Sequence, residues 1–548
     1  MANIKFSRKV FEKEIGKLDE SMQERIALFG TTLESFDNDE MELEIFPNRP
    51  DLLSYSGFKK SFLSFLGKTK GIKEYKIHKP EKNYEIEIMN SVKNIRPYTS
   101  CAIVKGLKLD DEKIKELIDI QEKLHSTIGR NRKKLAIGIY PLEKIKLPIK
   151  YTALEPDKIR FIPLESSREM SGLEILQRHP AGKSYSHLLA GKTKFPVFMD
   201  ASGEILSMPP IINSEKTGRV DEKTKDIFIE CSGFDFSLLK KCLNIVVSSL
   251  GEMGGKIYEM KYRGDLKGIS PDFSREKMKI SVENTNKLLG LELKEKDLNG
   301  LLEKMGHNYS KGEVEVAPWR MDILHEVDII EDIGIAYGYE NFEPEIPDIS
   351  TIGGEVPEEI IKRKISEILI GLGLLEVSNY HLIPKKDALS KMGFNEKTEK
   401  NFVEIESSKT EYDVLRRDLS SYLLKNFSEN SDSEYPQKIF EIGRVFELIK
   451  GEIVEKEKLS IGIAPGNYTE IRGMLDYLGK MLDLKFEIKE VKHFGEHYID
   501  GRVGGIFLGE DQIGEVGEIH PRMLKNWKIK MPISMFELDL KKIFNKFK

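Results

Sequence analysis

The chain has 548 residues, with 86 basic and 91 acidic side chains and a formal charge of −5. Its 39% hydrophobic and 32% charged residues exclude a disordered or collagen-like chain, and at roughly 100–200 residues per domain its length predicts about three to five domains. The acidic balance excludes a protein that binds nucleic acid through its overall charge, so any RNA contact must use local patches.

The first 85 residues open with a helical pattern, followed by a strand at Met41–Phe46. The turn PNRPDLLS (Pro47–Ser54) stops any helix with its two prolines, and Asp51 can cap the helix that follows. Lys68–Lys82 reads as a surface connection. Residues 86–268 alternate strands and helices and are predicted to form an α/β unit of about 180 residues. Its strands are Tyr84–Met89, Ser100–Leu107, Lys134–Tyr140 and the start of Asp226–Asp235; its helices are Asp110–Ser126 and KKCLNIVVSSLGEMG, which ends on a glycine. Arg130, Arg132, Lys133 and Lys134 form its densest basic patch, either an RNA contact or a solvated loop.

Residues 269–346 predict two short helices broken at Leu289-Gly290-Leu291, a strand at Glu313–Trp319 and a helix over MDILHEVDIIEDIGIAYGY. A linker with a glycine pair is expected at residues 347–354. Residues 355–548 predict a helix at Glu358–Leu372, turn-linked strands in Phe440–Ile449 and Val503–Ile519, and an amphipathic helix over RGMLDYLGKMLDL. Gly509-Glu510-Asp511 is the expected hairpin turn. This mix predicts an antiparallel sheet with helices packed on it. The whole is an α+β multidomain chain without internal repeats.

Cys101, Cys231 and Cys242 are too sparse for a disulfide framework or a thiolate metal site. They fit a reducing compartment. The first residues hold no signal-peptide core, and no stretch approaches the ~20 apolar residues of a membrane helix. A cytoplasmic, soluble protein is expected.

Two constellations carry candidate chemistry. Asp328, Glu331 and Asp332 fall at i, i+3 and i+4 on one helix face, with Asp322 six residues before Asp328. Like charges so placed cost a helix a few tenths of a kcal/mol per pair, about what a hard cation such as Mg²⁺ would offset. A solvated acidic face partnered by Arg320 and His325 is the other reading. The second constellation is the loop MPPIINSEKTGRV, with Asn213, Ser214 and Glu215, followed by Glu230, Ser232, Asp235 and Ser237. These groups either form a pocket that orients a water and reads a small polar group, or are turn chemistry at strand ends. His520 reads as a turn or core histidine, and His179 and His187 as loop residues. The motifs GxxxxGK-S/T, HExxH, CxxC and GxSxG are absent.

Taken together and in order, PNRPDLLS, MPPIINSEKTG (Met208–Gly218), FIEC (Phe228–Cys231), PWRMDILHEVDIIEDIGIAYGY (Pro318–Tyr339), FEIGRVFE (Phe440–Glu447) and GEVGEIHP (Gly514–Pro521) resemble the β subunits of phenylalanine–tRNA ligases, in their shorter archaeal/eukaryotic form. The resemblance spans the whole chain and implies an N-terminal α+β domain (1–85), a tRNA-editing α/β domain (86–268), a helix-rich magnesium-binding module (269–346) and a class II synthetase-like core lacking the ATP site (355–548). It implies Mg²⁺ on Asp322, Asp328, Glu331 and Asp332. It also implies hydrolysis of mischarged tyrosyl-tRNA with Glu230 and Asp235 as catalytic groups and Asn213 and Ser237 in the pocket. A site built for phenylalanine rejects a substrate with one added hydroxyl by only ~10²-fold, which is why such a family needs a second, hydrolytic site. The core lacks the FRxE pair and the GxGxxR arginine that would hold ATP. ATP and phenylalanine are therefore expected on a separate α subunit in an α₂β₂ heterotetramer, which charges the tRNA for phenylalanine. One departure is visible: GIYPLEKI (Gly138–Ile145) puts Tyr140-Pro141 where the family often has a histidine–aspartate pair, so editing is either weakened or rests on the later residues. A stand-alone editing hydrolase and a non-catalytic RNA-binding scaffold are the alternative readings.

Overall fold

In the computed structural model, which describes residues 2–264, 267–348, 351–394, 401–492 and 495–547, the chain divides into two units, Met1–Ile346 and Pro347–Lys548. Among the described residues no helix is long and apolar enough to cross a membrane.

The first unit begins with a strand, Ala2–Ser7, rather than a helix. Ile4 is buried, and the strand pairs antiparallel with Glu40–Ile45, which also takes Thr32–Phe36. Helix Tyr55–Phe65 follows the proline turn, and its cap is Ser54, whose side chain accepts the Gly57 N–H. Asp51, expected in that role, is turned into the interior instead. The helix lays Phe58, Phe62 and Phe65 against Phe29, with Phe62 centred 5.0 Å from Phe58 and 5.5 Å from Phe29. This aromatic core is continuous with that of residues 227–250 and with Met305, Trp319 and Ala336.

The middle of the unit holds two sheets. In the five-stranded sheet, Ile227–Gly233 is buried along its whole length and runs antiparallel between Tyr98–Lys105 and Leu135–Pro141. The pattern from residue 86 onward suggested alternating α/β units, and helix Asp111–Ser126 does connect two strands of like direction. An antiparallel strand from about 90 residues further on fills the gap between them, so the sheet is mainly antiparallel. Odd-numbered residues of the central strand face helix Phe236–Glu252. The even-numbered face, with Phe228, packs through Tyr140, Cys101 and Ile103 on a seven-stranded sheet carrying Tyr151, Phe198 and Leu206. Glu230 lies on this second face, between two sheets.

Residues 269–346 contain the two expected helices, Val282–Leu289 and Glu295–Lys304, separated at Gly290 with φ +67°. They also contain a three-stranded sheet, because Glu276–Lys279 and Asn308–Ser310 flank Glu313–Val316. The last helix is Glu326–Tyr337, shorter at its start than its apolar pattern suggested.

The second unit is built on a seven-stranded, mainly antiparallel sheet. Two 13-residue strands, Gln437–Ile449 and Glu452–Ala464, form its longest hairpin. Tyr498–Leu508 and Asp511–Ile519 turn at Gly509 (φ +68°), where the sequence placed the hairpin. Helices Pro357–Gly371 and Tyr468–Met481 pack Ile361, Ile365, Leu475 and Leu478 onto one face. Arg444 is paired at the surface with Glu455 and Glu457, which is a structural role.

The aromatic chain of the first unit gives a direct test. Phe62 is fully buried, so Phe62→Ala is expected to destabilise the first unit by about 3–5 kcal/mol, read from denaturant unfolding.

Candidate functional site

Glu230 is 2% exposed, opposite Gly138 in the strand register. Next to it, the hairpin of Ile205–Met208 and Ile212–Asn213 sets Ser207 directly across from Asn213. The prolines of MPPIINS form the tight turn, closed by the Ile211 N–H on the Met208 carbonyl at 2.8 Å. All three polar groups converge on one atom, the Tyr140 hydroxyl. It lies 2.7 Å from Ser207 Oγ, 3.3 Å from Glu230 Oε1 and 3.4 Å from Asn213 Oδ1. Tyr140 is 0% exposed, and its ring stacks on Phe228. A β-carbon on Gly138 would sit 2.2 Å from the Tyr140 hydroxyl and 2.5 Å from Glu230 Oε1, so glycine makes the room for this pair.

Burial pushes the Glu230 carboxyl up to about 8, against the Arg96 charge and the hydrogen bonds of Tyr140 and Ser232. Its Oε2 is buried without a hydrogen-bond partner. Arg96 is also buried, donating to the Ser232 carbonyl at 2.7 Å and to Ser232 Oγ at 3.2 Å. Burial likewise drives the Tyr140 phenol well above its ordinary range, and the neighbouring Glu230 adds to the shift. Burial therefore favours the protonated form of Glu230, with its Oε1 against the Tyr140 hydroxyl.

The structure thus brings together Glu230 and Asn213 from the sequence-derived set and adds Tyr140, Ser207 and Arg96. Asp235 and Ser237 stand elsewhere. Asp235 caps helix Phe236–Glu252 through the N–H groups of Ser237 and Leu238, at 2.9 and 3.2 Å, and both residues are exposed. The physical reason is plain: an aspartate just before a helix satisfies two otherwise free donors. In the basic patch, Arg130, Lys133 and Lys134 are exposed and Arg132 is turned inward. Arg132 donates to the Ile211 carbonyl (2.9 Å) and Glu122 (2.8 Å) and lies over the Tyr185 ring, so it clamps the proline turn. His520 and His179 act as helix caps, accepting the N–H groups of Arg522 and Ala181.

The acidic constellation is arranged around a cation already in the chain. Arg320, 3% exposed, makes a fork on Asp322 at 2.6 and 2.8 Å and reaches Asp332 at 2.9 Å. His307 lies 2.7 Å from the same Asp332 oxygen. Burial opposes ionisation of Asp332, but Arg320 and the His307 hydrogen bond hold its carboxyl far below the usual range. Asp328 faces the helix start, accepting the N–H groups of Leu324 and His325 at 2.7 and 2.8 Å. Glu331 is exposed at its surface, raised by partial burial and by Asp332, Asp322 and Asp328. Among the described residues no three His, Cys, Asp or Glu side chains are placed to share a metal ion. Arg320 pairs with Asp322 and Asp332, and Glu331 feels the charges of Asp332, Asp322 and Asp328; Mg²⁺ on these four carboxylates stays what the resemblance implies, and no chemistry is derived through it.

Two measurements follow from these geometries. Removing one partner of a buried ion pair costs about 3–5 kcal/mol; Arg320→Met should lose that much stability, read from denaturant unfolding. For Glu230, the raised folded value means that the folded state holds a proton the unfolded state releases above its ordinary 4.5. Its contribution to stability is full below that value and is lost as pH rises toward about 8. Glu230→Gln, which cannot titrate, should therefore gain melting temperature relative to the natural protein between about pH 5 and 8.5. A difference constant across that range would count against a neutral buried Glu230.

Comparison with known proteins identifies the family. Residues 278–339 match the tRNA synthetase B5 domain, and residues 343–540 match the phenylalanyl-tRNA synthetase β chain CLM domain. The chain is 37% identical to the phenylalanine–tRNA ligase β subunit of Archaeoglobus fulgidus over 545 residues, 97% of each chain. It is 38% identical to that of Pyrococcus furiosus over 509 residues, 91% of this chain and 90% of the relative. The crystal structure of an N-terminal fragment of the Pyrococcus horikoshii phenylalanyl-tRNA synthetase β subunit superposes with a TM-score of 0.58 at 36% identity, covering 61% of this chain and 99% of the fragment. The chain belongs to the phenylalanine–tRNA ligase β-subunit family of aminoacyl-tRNA ligase subunits.

Proposed function

We propose that the chain works in the cytoplasm as one half of a phenylalanine–tRNA ligase, joined to a separate α subunit in an α₂β₂ heterotetramer. The α subunit binds ATP and phenylalanine and performs the charging of the tRNA for phenylalanine. The observation that carries this reading is the end-to-end similarity to β subunits, 97% of both chains. The second unit, which matches the family's β chain CLM domain, supports it: the sequence offers no FRxE or GxGxxR arginine to hold ATP.

The first unit is proposed to carry a hydrolytic site for mischarged tyrosyl-tRNA, centred on Glu230 with Asn213 and Ser207. What supports this is the convergence of a buried carboxyl, an amide and a hydroxyl on one phenol oxygen. In the reaction, a water oxygen bonds to the ester carbonyl carbon and the bond to the ribose oxygen breaks. One proton of the water ends on the ribose oxygen, and tyrosine leaves with the water's oxygen in its carboxyl group, whose remaining proton is released to solvent. Glu230 and Asn213 would select the substrate by its phenol hydroxyl, because a buried polar group left unpaired penalises a substrate without one.

Co-expression with the α subunit of the same organism tests the assembly. The expected result is a stable complex that charges tRNA with phenylalanine in an ATP-dependent way, neither chain being active alone. A chain that purifies without the α subunit and hydrolyses tyrosyl-tRNA on its own would replace this reading with a stand-alone editing hydrolase.

A further inference from the structure

The Glu230 pocket already contains a phenol. We infer that Tyr140 is a built-in occupant of the subsite that would read a tyrosyl group, and that it holds the pocket shut. The inference rests on the editing reading for the pocket's identity, and on geometry for the rest.

Three observations carry it. First, the Tyr140 hydroxyl lies against all three groups able to recognise a substrate phenol, Ser207, Glu230 and Asn213. A phenol has one proton to give and lone pairs to accept with, so a substrate hydroxyl would compete for the same few hydrogen bonds. Second, Tyr140 and two of its partners are closed off from solvent: Tyr140 is 0% exposed, Ser207 1% and Glu230 2%, and Asn213 alone is partly exposed. Third, the local backbone is shaped for this occupant. Gly138 leaves open the space between the two strands into which the hydroxyl and the Glu230 carboxyl fit, and any β-carbon there would strike both. The Phe228 ring stacks on one face of Tyr140, its centroid 5.7 Å away. The ring sits on a strand interior, held by ladder pairing on Ile227–Gly233, so vacating the subsite requires a side-chain swing within a closed layer between two sheets.

The chemistry of the occupant is that of the substrate class itself: a para-substituted phenol. The small probe is p-cresol, the tyrosine side chain without its backbone. The test uses the complex with the α subunit. In the natural complex, tyrosyl-tRNA is expected to hydrolyse more slowly than in complexes with a vacated subsite, and ligand-observed NMR is expected to show no p-cresol binding. Tyr140→Ala vacates the subsite, and Tyr140→Leu does so while keeping apolar filling for a fold that tolerates less. Either folded variant should bind p-cresol and lose that binding when Glu230→Gln is added. Hydrolysis should rise about tenfold or more in the same variants. Hydrolysis by the natural complex as fast as by the folded Tyr140 variants would overturn the inference, since substrate would then enter with Tyr140 in place. So would folded Tyr140 variants that fail to bind p-cresol. Variants that bind p-cresol through Glu230 without hydrolysing tyrosyl-tRNA would uphold the occupant and remove the editing reading instead.

Discussion

A guanidinium buried in protein must be met by carboxylates, and in the first unit two such groups are met in the same way. Arg49 forks onto Asp51, two residues on, at 2.9 Å for both bonds. Arg320 forks onto Asp322, also two residues on. Both arginines line one cavity of about 310 Å³ with Lys60 and Trp319. The two forks are coupled: Arg320 opposes the ionised form of Arg49, while Asp51 supports that of Arg320. Lys60 lies 3.7 Å from the Trp319 ring centre and donates to Ser248, and burial pulls its ammonium down to about 7 against Asp51 and Glu252. Buried charges of this kind are weak sources of net stability but strong constraints on geometry, because separating any pair strands a charge. Here the constraint ties the Pro47–Ser54 turn, helix Tyr55–Phe65, helix Phe236–Glu252 and the start of helix Glu326–Tyr337 into one layer. The five-stranded sheet that carries Glu230 rests on that same helix, Phe236–Glu252.

This arrangement explains why some of the fold was legible in the sequence. PNRPDLLS and WRMDILHEV each hold an Arg-x-Asp step, and the local fork follows from that spacing. What the spacing does not reveal is that the two forks meet across some 270 residues. The acidic residues Asp328, Glu331 and Asp332 were visible as a set because they recur at i, i+3 and i+4, but their partners decide what they do. Asp332 points inward to Arg320, and Asp328 turns back to cap. Helical periodicity reports which residues share a face, not whether a cation from another loop is waiting there.

The same limit applies to the pocket. Asn213 and Glu230 were legible because a proline-stiffened loop and a polar residue inside a buried strand are both unusual. Asp235 and Ser237 follow the same strand in sequence but lie past its end, where the aspartate's capping role is the cheaper local solution. Antiparallel registers were not legible either: nothing in the one-dimensional pattern placed Ile227–Gly233 between Tyr98–Lys105 and Leu135–Pro141. Once that register is known, Gly138 opposes Glu230 and Tyr140 opposes Phe228, and the departure at Tyr140-Pro141 acquires a physical meaning.

Recognition of a phenol against a phenyl group needs a hydrogen-bonding partner that loses more when unpaired than water would return. A carboxyl buried between two sheets satisfies that demand best when it is neutral, because an ionised one would add a desolvation cost that no single hydroxyl offsets. Glu230, kept protonated by burial, is such a group. Yet the demand acts on the empty pocket as well: a buried carboxyl and a buried hydroxyl, Glu230 and Ser207, would carry the penalty of unmade hydrogen bonds with no ligand. An internal tyrosine removes that penalty by supplying the very group the pocket is built to read. Specificity for a phenol and occupation by a phenol are thus two outcomes of one requirement, and the residue at position 140 decides which of them this chain expresses.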